Sequence, residues 1–130
     1  MRDENCIFCR IVEGKISSVK IWEDEKCIVI LDKFPATKGQ TLVITKEHVP
    51  YIMNLNEATY NHIFNIARKI SIGIDKSLKT IRTCIVVEGF EGPHVHIRLH
   101  PAYENILSTK GREATIEDLK DVADKIRKNL

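Results

Sequence analysis

One stretch in the C-terminal half, residues 93–101, concentrates side chains that could do chemistry. It holds three of the five histidines, with an arginine among them. The polar positions alternate with apolar ones and are His94, His96, Arg98 and His100. Successive side chains of a strand point to opposite faces, so a strand here would carry all four on one face. Clustered imidazoles on a rigid strand are typical of a metal site, a nucleophile or an anion site. A strand whose basic face is exposed to solvent explains the pattern equally well.

A second candidate group lies near the N-terminus, where two residues separate Cys6 from Cys9. On a helix such residues are neighbours. Zinc binds Cys and His in tetrahedral sets, and four protein ligands usually close a structural site. The histidines that could complete such a set are His48, His62, His94, His96 and His100. Spacing does not choose among them, and two half-buried thiols are an equal alternative. A thioredoxin-like redox role is disfavoured because the pair opens no βαβ unit.

The 130 residues and their ordinary composition predict a single soluble domain over residues 1–130. A net charge of +2 gives no argument for nucleic acid or a membrane surface as a partner. No apolar run is long enough to span a membrane, and the N-terminus is too polar for a signal peptide. A cytoplasmic location is therefore expected, where a Cys-x-x-Cys pair is more typical of a metal or redox motif than of a disulfide. Cys27 and Cys84 lie in apolar runs and are predicted to be buried.

Hydrophobic patterning supplies the elements that must position these groups. Apolar runs and alternation predict strands at residues 18–22, 27–31, 40–45, 83–87 and 94–99, with the first two forming a hairpin. Apolar residues at helical spacing predict a long helix from Glu57 to about Leu78, with Asn56 as its N-cap. A short helix is predicted at residues 6–13, and a last helix is predicted after Thr115. The sequence therefore predicts an α+β fold with a mainly antiparallel sheet.

With these elements assigned, the sequence resembles the histidine triad (HIT) family, whose motif is His-φ-His-φ-His-φ-φ with φ apolar. The resemblance extends over nearly the whole chain and is carried by residues 6–12, 22–25, 30–32, 38–44, 46–48 and 94–96. It implies a HIT-like fold with a five-stranded sheet, one long helix and shorter N- and C-terminal helices. It also implies a homodimer whose two sheets are joined.

The resemblance further implies a purine nucleotide or nucleotide conjugate as ligand, and a hydrolase or transferase that attacks the α-phosphate. His96 matches the family nucleophile, which forms a nucleotidyl-histidine while a backbone carbonyl binds its other ring N–H. Asp32 matches the residue that binds the ribose hydroxyls. The base pocket of the family matches Ile7, Phe8, Ile11 and Leu42. A structural zinc is implied on Cys6, Cys9, His48 and His94.

Three departures from the family pattern bear on activity. The third triad position is Arg98, which can bind phosphate but cannot shuttle a proton to a leaving group. His100 lies about 6–7 Å further along the strand and does not simply replace it. The usual Gly-Gln-Ser/Thr segment is missing from residues 89–93, and Val87 stands where an asparagine is common. A zinc-stabilised nucleotide-binding module with little or no turnover is therefore the alternative to an enzyme.

Overall fold

The computed structural model describes residues 2–130. Its strands are β1 (Lys20–Glu23), β2 (Cys27–Leu31), β3 (Thr41–Thr45), β4 (Arg82–Val86) and β5 (His96–Ala102). They form one sheet in the order β1-β2-β3-β5-β4, and every neighbouring pair is antiparallel. The predicted α+β class, the five-stranded sheet and the first hairpin are confirmed.

Three α-helices accompany the sheet: α1 (Ile7–Val12), α2 (Glu57–Leu78) and α3 (Ile116–Arg127). A short 3₁₀ turn, Ile52–Asn54, precedes α2. The Asn56 side chain accepts a hydrogen bond from the backbone N–H of Thr59 at 2.8 Å, which fixes the start of α2 where the sequence predicts it. Thr115 caps α3 in the same way through the N–H of Asp118. Within residues 2–130, the structure has no helix that is both long enough and apolar enough to cross a membrane.

The two faces of the sheet are covered by different helices. Helices α2 and α3 pack on one face and enclose the main core, which includes Ile63, Ile70, Ile97 and Leu99. Helix α1 packs on the other face through apolar side chains that contact a smaller cluster: Ile28, Ile30, Leu42 and Ile44. All residues of β2 and β3 are buried because both faces are covered. Two members of this smaller cluster, Ile30 and Leu42, line the candidate site.

Strand β5 departs from the sequence prediction at both ends. It begins at His96, because the His94 backbone N–H bonds the Gly92 carbonyl at 2.7 Å in a turn. It continues through Pro101, although proline cannot donate a ladder hydrogen bond. Strand β3 stops pairing with β5 at Leu99, so Pro101 is paired only with β4. The missing N–H therefore falls where β5 has only one neighbouring strand.

A polar cluster anchors α2 to the turn between β1 and β2. Asp24 lies 2.7 Å from the His62 ring and accepts hydrogen bonds from the Trp22 indole and the backbone N–H of Lys26. Burial opposes ionisation of Asp24, but these hydrogen bonds outweigh it and lower the pKa of the carboxyl. Burial raises the pKa of the Cys27 thiol to about 12, so it is protonated. Cys84, in contrast, is only half-buried, and its predicted burial is wrong.

Candidate active site and metal centre

Four side chains from distant parts of the chain converge at the N-terminus of α1. They are Cys6, Cys9, His48 and His94, whose ligand atoms all lie within 4.8 Å of one another. Cys6 caps α1, and Cys9 follows one turn later and is fully buried. His48 follows β3, and His94 precedes β5. The fold therefore brings together the set that the resemblance implies and leaves His62, His96 and His100 outside it.

The hydrogen bonds of His94 fix which ring nitrogen is free. Its Nε2 lies 2.6 Å from the Thr45 carbonyl, which only accepts, so Nε2 carries the proton. The unprotonated Nδ1 lies 3.3 Å from the Cys6 Sγ and 3.2 Å from the His48 Nδ1. Burial lowers the pKa of His94 to about 4, so the ring is neutral at neutral pH. The Thr45 carbonyl thus has the orienting position typical of a partner to a metal-ligating histidine.

The spacing of the four donors is that of a tetrahedral zinc set. Bonds of about 2.3 Å to sulfur and about 2.0–2.1 Å to nitrogen place neighbouring donors about 3.3–3.8 Å apart in a tetrahedral set. The Cys9 Sγ lies 3.3 Å from the His48 Nδ1 and 3.5 Å from the His94 Nδ1. Backbone N–H groups of Asp3 and Cys9 donate to the Cys9 and Cys6 sulfurs, as suits thiolates. The residues present therefore fit zinc in number, type and spacing.

His96 lies two residues beyond this cluster and is held by the same segment. Its Nδ1 lies 2.7 Å from the carbonyl oxygen of His94, so Nδ1 donates and Nε2 keeps its lone pair. Burial lowers the pKa of the His96 ring, which favours the neutral form. The Phe8 ring lies against it, with centroids 4.4 Å apart. A Cβ on Gly92 would come within 2.7 Å of Phe8, so only glycine leaves room for this packing. The structure presents an oriented, neutral imidazole.

The backbone next to His94 is held by hydrogen bonds that do not involve the cysteines. The Val95 N–H donates to the Val49 carbonyl at 2.8 Å, and the Val95 carbonyl accepts from the Thr45 N–H at 3.2 Å. These bonds fix the peptide that carries the acceptor for His96.

His96 lines a cavity of about 270 Å³ between α1 and the β2–β3 connection. Its apolar wall includes all four residues predicted for a base pocket: Ile7, Phe8, Ile11 and Leu42. Asp32 and Arg98 also line it. A larger cavity of about 370 Å³ lies against α3 and contains none of these groups. The cavity at His96 is therefore the candidate ligand site.

Asp32 follows β2 directly and holds the shape of the loop that leads to β3. One carboxylate oxygen accepts from the Phe34 N–H at 2.8 Å and the other from the Gln40 amide at 2.7 Å. The turn-forming role and a binding role are compatible, because a carboxylate offers about four acceptor positions. Each oxygen retains capacity for one further hydrogen bond.

Arg98 lies on the same face of β5 as His96 and is only half-buried. Its guanidinium donates to the Glu88 carboxylate at 3.2 Å. His96 and His100, by contrast, are 4% and 2% exposed, so a solvent-exposed basic strand face is excluded. Among residues 2–130, neither ring nitrogen of His100 has a hydrogen-bond partner, and His100 does not line the cavity.

The sequence analysis does not predict several of the residues that line the cavity. Ile30 pairs with Leu42 across β2 and β3, and the register of those strands could have found it. Ser17, Lys33 and Ile116 also line the cavity. They come from loops and from the first turn of α3, whose approach to α1 follows from tertiary packing and leaves no pattern in the sequence.

The chain matches the HIT domain family over residues 13–105. It is 31% identical to Protein hit of Bacillus subtilis, over 98% of this chain and 95% of that protein. The chain therefore belongs to the histidine triad family.

Two relatives with named activities match in part. Adenosine 5′-monophosphoramidase hnt1 of Schizosaccharomyces pombe is 37% identical over 54% of this chain and 53% of its own length. Adenylylsulfatase HINT3 of Arabidopsis thaliana is 41% identical over 35% of this chain and 23% of its own length.

Solved structures share the fold over nearly the whole chain. A HIT-like protein of Bartonella henselae superposes with a TM-score of 0.91 at 26% identity, and 98% of each chain is covered. A zinc-bound histidine triad family protein of Mycobacterium smegmatis gives a TM-score of 0.84 at 24% identity, covering 96% of this chain and 92% of that one. The second likeness shows a common fold, and the bound zinc is a property of that protein.

Proposed function

We propose that this chain, taken as a single HIT domain, binds a purine nucleotide or nucleotide conjugate and transfers the nucleotidyl group through His96. The observation that carries the proposal is the bond from the His96 Nδ1 to the His94 carbonyl, made in the wall of an apolar cavity. A neutral imidazole with one nitrogen bound and the other free is a competent nucleophile at neutral pH. The named activities of the yeast and plant relatives support the same class of chemistry.

In this proposal different cavity residues bind the base, the ribose and the phosphate of the nucleotide. The base lies between the apolar side chains of Ile7, Phe8, Ile11 and Leu42. Asp32 accepts hydrogen bonds from the ribose hydroxyls through the free acceptor positions of its carboxylate. Arg98 binds the phosphate, for which its fixed charge and planar donors are suited. The cavity volume is close to the lower end of the range for small-molecule sites, about 300–1,000 Å³.

The reaction follows from these positions. The His96 Nε2 attacks the α-phosphorus, the bond to the leaving group breaks, and a nucleotidyl-histidine forms. The Nδ1–H remains bound to the His94 carbonyl and prevents the ring from rotating. Water then attacks the phosphorus, the P–N bond breaks with its electron pair returning to Nε2, and the proton of the water is released to solvent. For a transferase, another acceptor takes the place of water.

We also propose that Cys6, Cys9, His48 and His94 bind a structural zinc ion. Four protein donors close a tetrahedral site, so the metal supplies stability and no open position for substrate. Zinc would tie α1, which forms one wall of the cavity, to the segment that precedes His96. Four reduced cysteines within residues 2–130 are consistent with the proposed cytoplasmic location.

A nucleotide-binding module with little or no turnover is the second candidate. It is favoured by Arg98 in the third triad position, because arginine cannot deliver a proton to a leaving group. Both candidates predict nucleotide binding, so covalent chemistry is what separates them.

The test is a binding measurement followed by covalent trapping. Zinc-loaded protein is titrated with AMP, and its unfolding temperature is expected to rise. A reactive AMP conjugate is then added and quenched with base, because acid hydrolyses the P–N bond of a nucleotidyl-histidine, and the labelled peptide is identified by mass spectrometry. Nucleotide on His96 supports the enzyme, and its loss in His96→Ala with binding retained assigns the site. AMP binding without a label in the wild type would support the nucleotide-binding module. The absence of a thermal shift would contradict both candidates.

We further propose a homodimer that forms through β4. This strand lies at the edge of the sheet and pairs only with β5 among residues 2–130. Ile85 of β4 is 48% exposed and Ile72 of α2 is 39% exposed, on two elements that pack together. A free edge offers unpaired backbone groups to a second copy, and these isoleucines would be covered by it.

Replacement of Ile85 tests the dimer. Ile85→Glu is expected to shift the sedimenting species from dimer to monomer at micromolar concentration, because it places charge in an apolar interface. Ile116→Glu is the matched control, since Ile116 is 47% exposed on α3, the helix that packs against β1 at the other sheet edge. A wild-type monomer, or equal effects of both variants, would contradict this interface.

A further inference from the structure

The leaving group that this site can release is restricted by the residue in the third triad position. Arg98 lines the cavity with His96 and lies two residues along the same strand face. Its guanidinium is protonated at any physiological pH and does not give up its proton. Arg98 can therefore stabilise negative charge on a departing group but cannot deliver a proton to it.

Nothing else among the described cavity residues takes over proton delivery. The ionisable side chains that line the cavity are Asp32, Lys33, His96 and Arg98. Asp32 is bound as an acceptor by the Phe34 N–H and the Gln40 amide. The Lys33 ammonium is exposed and pairs with Glu113 at 3.3 Å. His96 is the nucleophile, and its one N–H is bound to the His94 carbonyl.

His100 does not fill the gap either. It is buried at 2% exposure, lies two residues beyond Arg98, and is absent from the cavity wall. Burial lowers the pKa of its ring, so the ring carries no extra proton at neutral pH.

The environment of Arg98 shows which kind of group its guanidinium binds. In the structure the guanidinium binds a carboxylate, that of Glu88, at a distance of 3.2 Å and at a half-exposed position. Half-exposed ion pairs of this kind are weak and exchange readily. An anion that departs from the α-phosphorus can therefore replace Glu88 as the partner of Arg98.

We propose that the site acts on nucleotidyl mixed anhydrides, whose leaving group departs as a weakly basic oxyanion, and discriminates against phosphoramidates. In an anhydride the P–O bond breaks with its electron pair on oxygen, and a carboxylate, sulfate or phosphate leaves without needing a proton. In a phosphoramidate the P–N bond breaks only when nitrogen gains a proton, for which this cavity has no donor. This inference rests on the proposed nucleotidyl transfer through His96.

The test is a leaving-group series on the zinc-loaded protein at fixed pH. Acetyl adenylate, adenylyl sulfate and ADP represent the three anhydride classes, and adenosine 5′-phosphoramidate represents the amine class. Substituted aryl esters of AMP give a graded series of leaving-group basicity. We expect kcat/KM for at least one anhydride to exceed that of the amidate by about 10²-fold or more, the usual contribution of a general acid. The aryl series is expected to fall steeply as the leaving group becomes more basic.

Substitutions at position 98 separate proton delivery from charge. Arg98→His is expected to raise amidate turnover and to flatten the aryl series, because imidazolium can donate a proton. Arg98→Gln removes the charge without adding a group that can transfer a proton. It is expected to lower turnover of the anhydrides and to leave turnover of the amidate no higher. Lys33→Met is expected to leave the slope of the aryl series unchanged.

The outcomes distinguish this inference from the function on which it rests. Amidate turnover within tenfold of every anhydride in the wild type, or an unchanged slope in Arg98→His, would overturn the leaving-group restriction while leaving nucleotidyl transfer intact. No turnover of any conjugate and no label on His96, with AMP still bound, would contradict nucleotidyl transfer itself.

Discussion

Removal of zinc is expected to lower the unfolding temperature of this protein by about 10 °C or more. Structural zinc sites contribute about 10–16 kcal/mol of apparent binding free energy in small peptides, against a typical domain stability of about 5–15 kcal/mol. Even part of that contribution is large for a chain of 130 residues. Without the metal, two thiols and two imidazoles remain packed against one another, with the Nδ1 atoms of His48 and His94 3.2 Å apart. The measurement is calorimetry before and after dialysis against a chelator, with elemental analysis of the metal.

A pair of cysteine substitutions provides the control. Cys9→Ser removes a fully buried donor and is expected to abolish stoichiometric zinc and to lower the unfolding temperature as the chelator does. Cys84→Ser changes a half-buried thiol of β4 outside the cluster and is expected to retain zinc. Protein that is purified without zinc and is equally stable with and without chelator would contradict the metal centre.

Replacement of His96 is expected to reduce kcat/KM for a nucleotidyl anhydride by about 10⁴-fold or more, the scale seen when a covalent nucleophile is lost. His96→Gly leaves the space of one imidazole ring beside Phe8. Added imidazole is therefore expected to restore part of the activity, because it can attack the phosphorus from the vacated position. The affinity for AMP and the zinc content are expected to remain close to those of the wild type.

His62→Gln is the matched histidine control. His62 lies on α2 and pairs with Asp24, and glutamine can keep that hydrogen bond. Its kcat/KM is expected to equal that of the wild type. Full activity in His96→Gly would exclude His96 as the nucleophile. Loss of AMP binding with no rescue by imidazole would show that His96 has a structural role in place of a chemical one.

The regular elements could be predicted closely because local patterns determine them. The bounds of β2 and α2 agree with the sequence prediction, since an uninterrupted apolar run and the Asn56 cap each specify a local structure. The limits of β5 could not be predicted in the same way. They depend on a turn at His94 and on the point where β3 ends beside Leu99, and both are set by tertiary pairing.

The same distinction between local pattern and tertiary packing applies to the candidate site. Residue types and the family motif predict the cluster members Cys6, Cys9, His48 and His94, and the structure brings them together. Spacing alone could not choose these histidines, because the segments that carry them are separated by the sheet strands. The part played by Ile116 depends on where α3 lies on the folded chain, which no local pattern encodes.

The hydrogen bond that orients His96 uses the main chain of His94, whereas the metal cluster uses its side chain. A carbonyl is present whatever residue occupies position 94, and the bonds of Val95 to Val49 and Thr45 hold that peptide in place. The proposed metal centre and the proposed nucleophile are therefore genetically separable, although His94 contributes to both. A lineage could lose the four metal ligands in turn, compensate with a better-packed core, and still inherit a correctly oriented histidine at position 96.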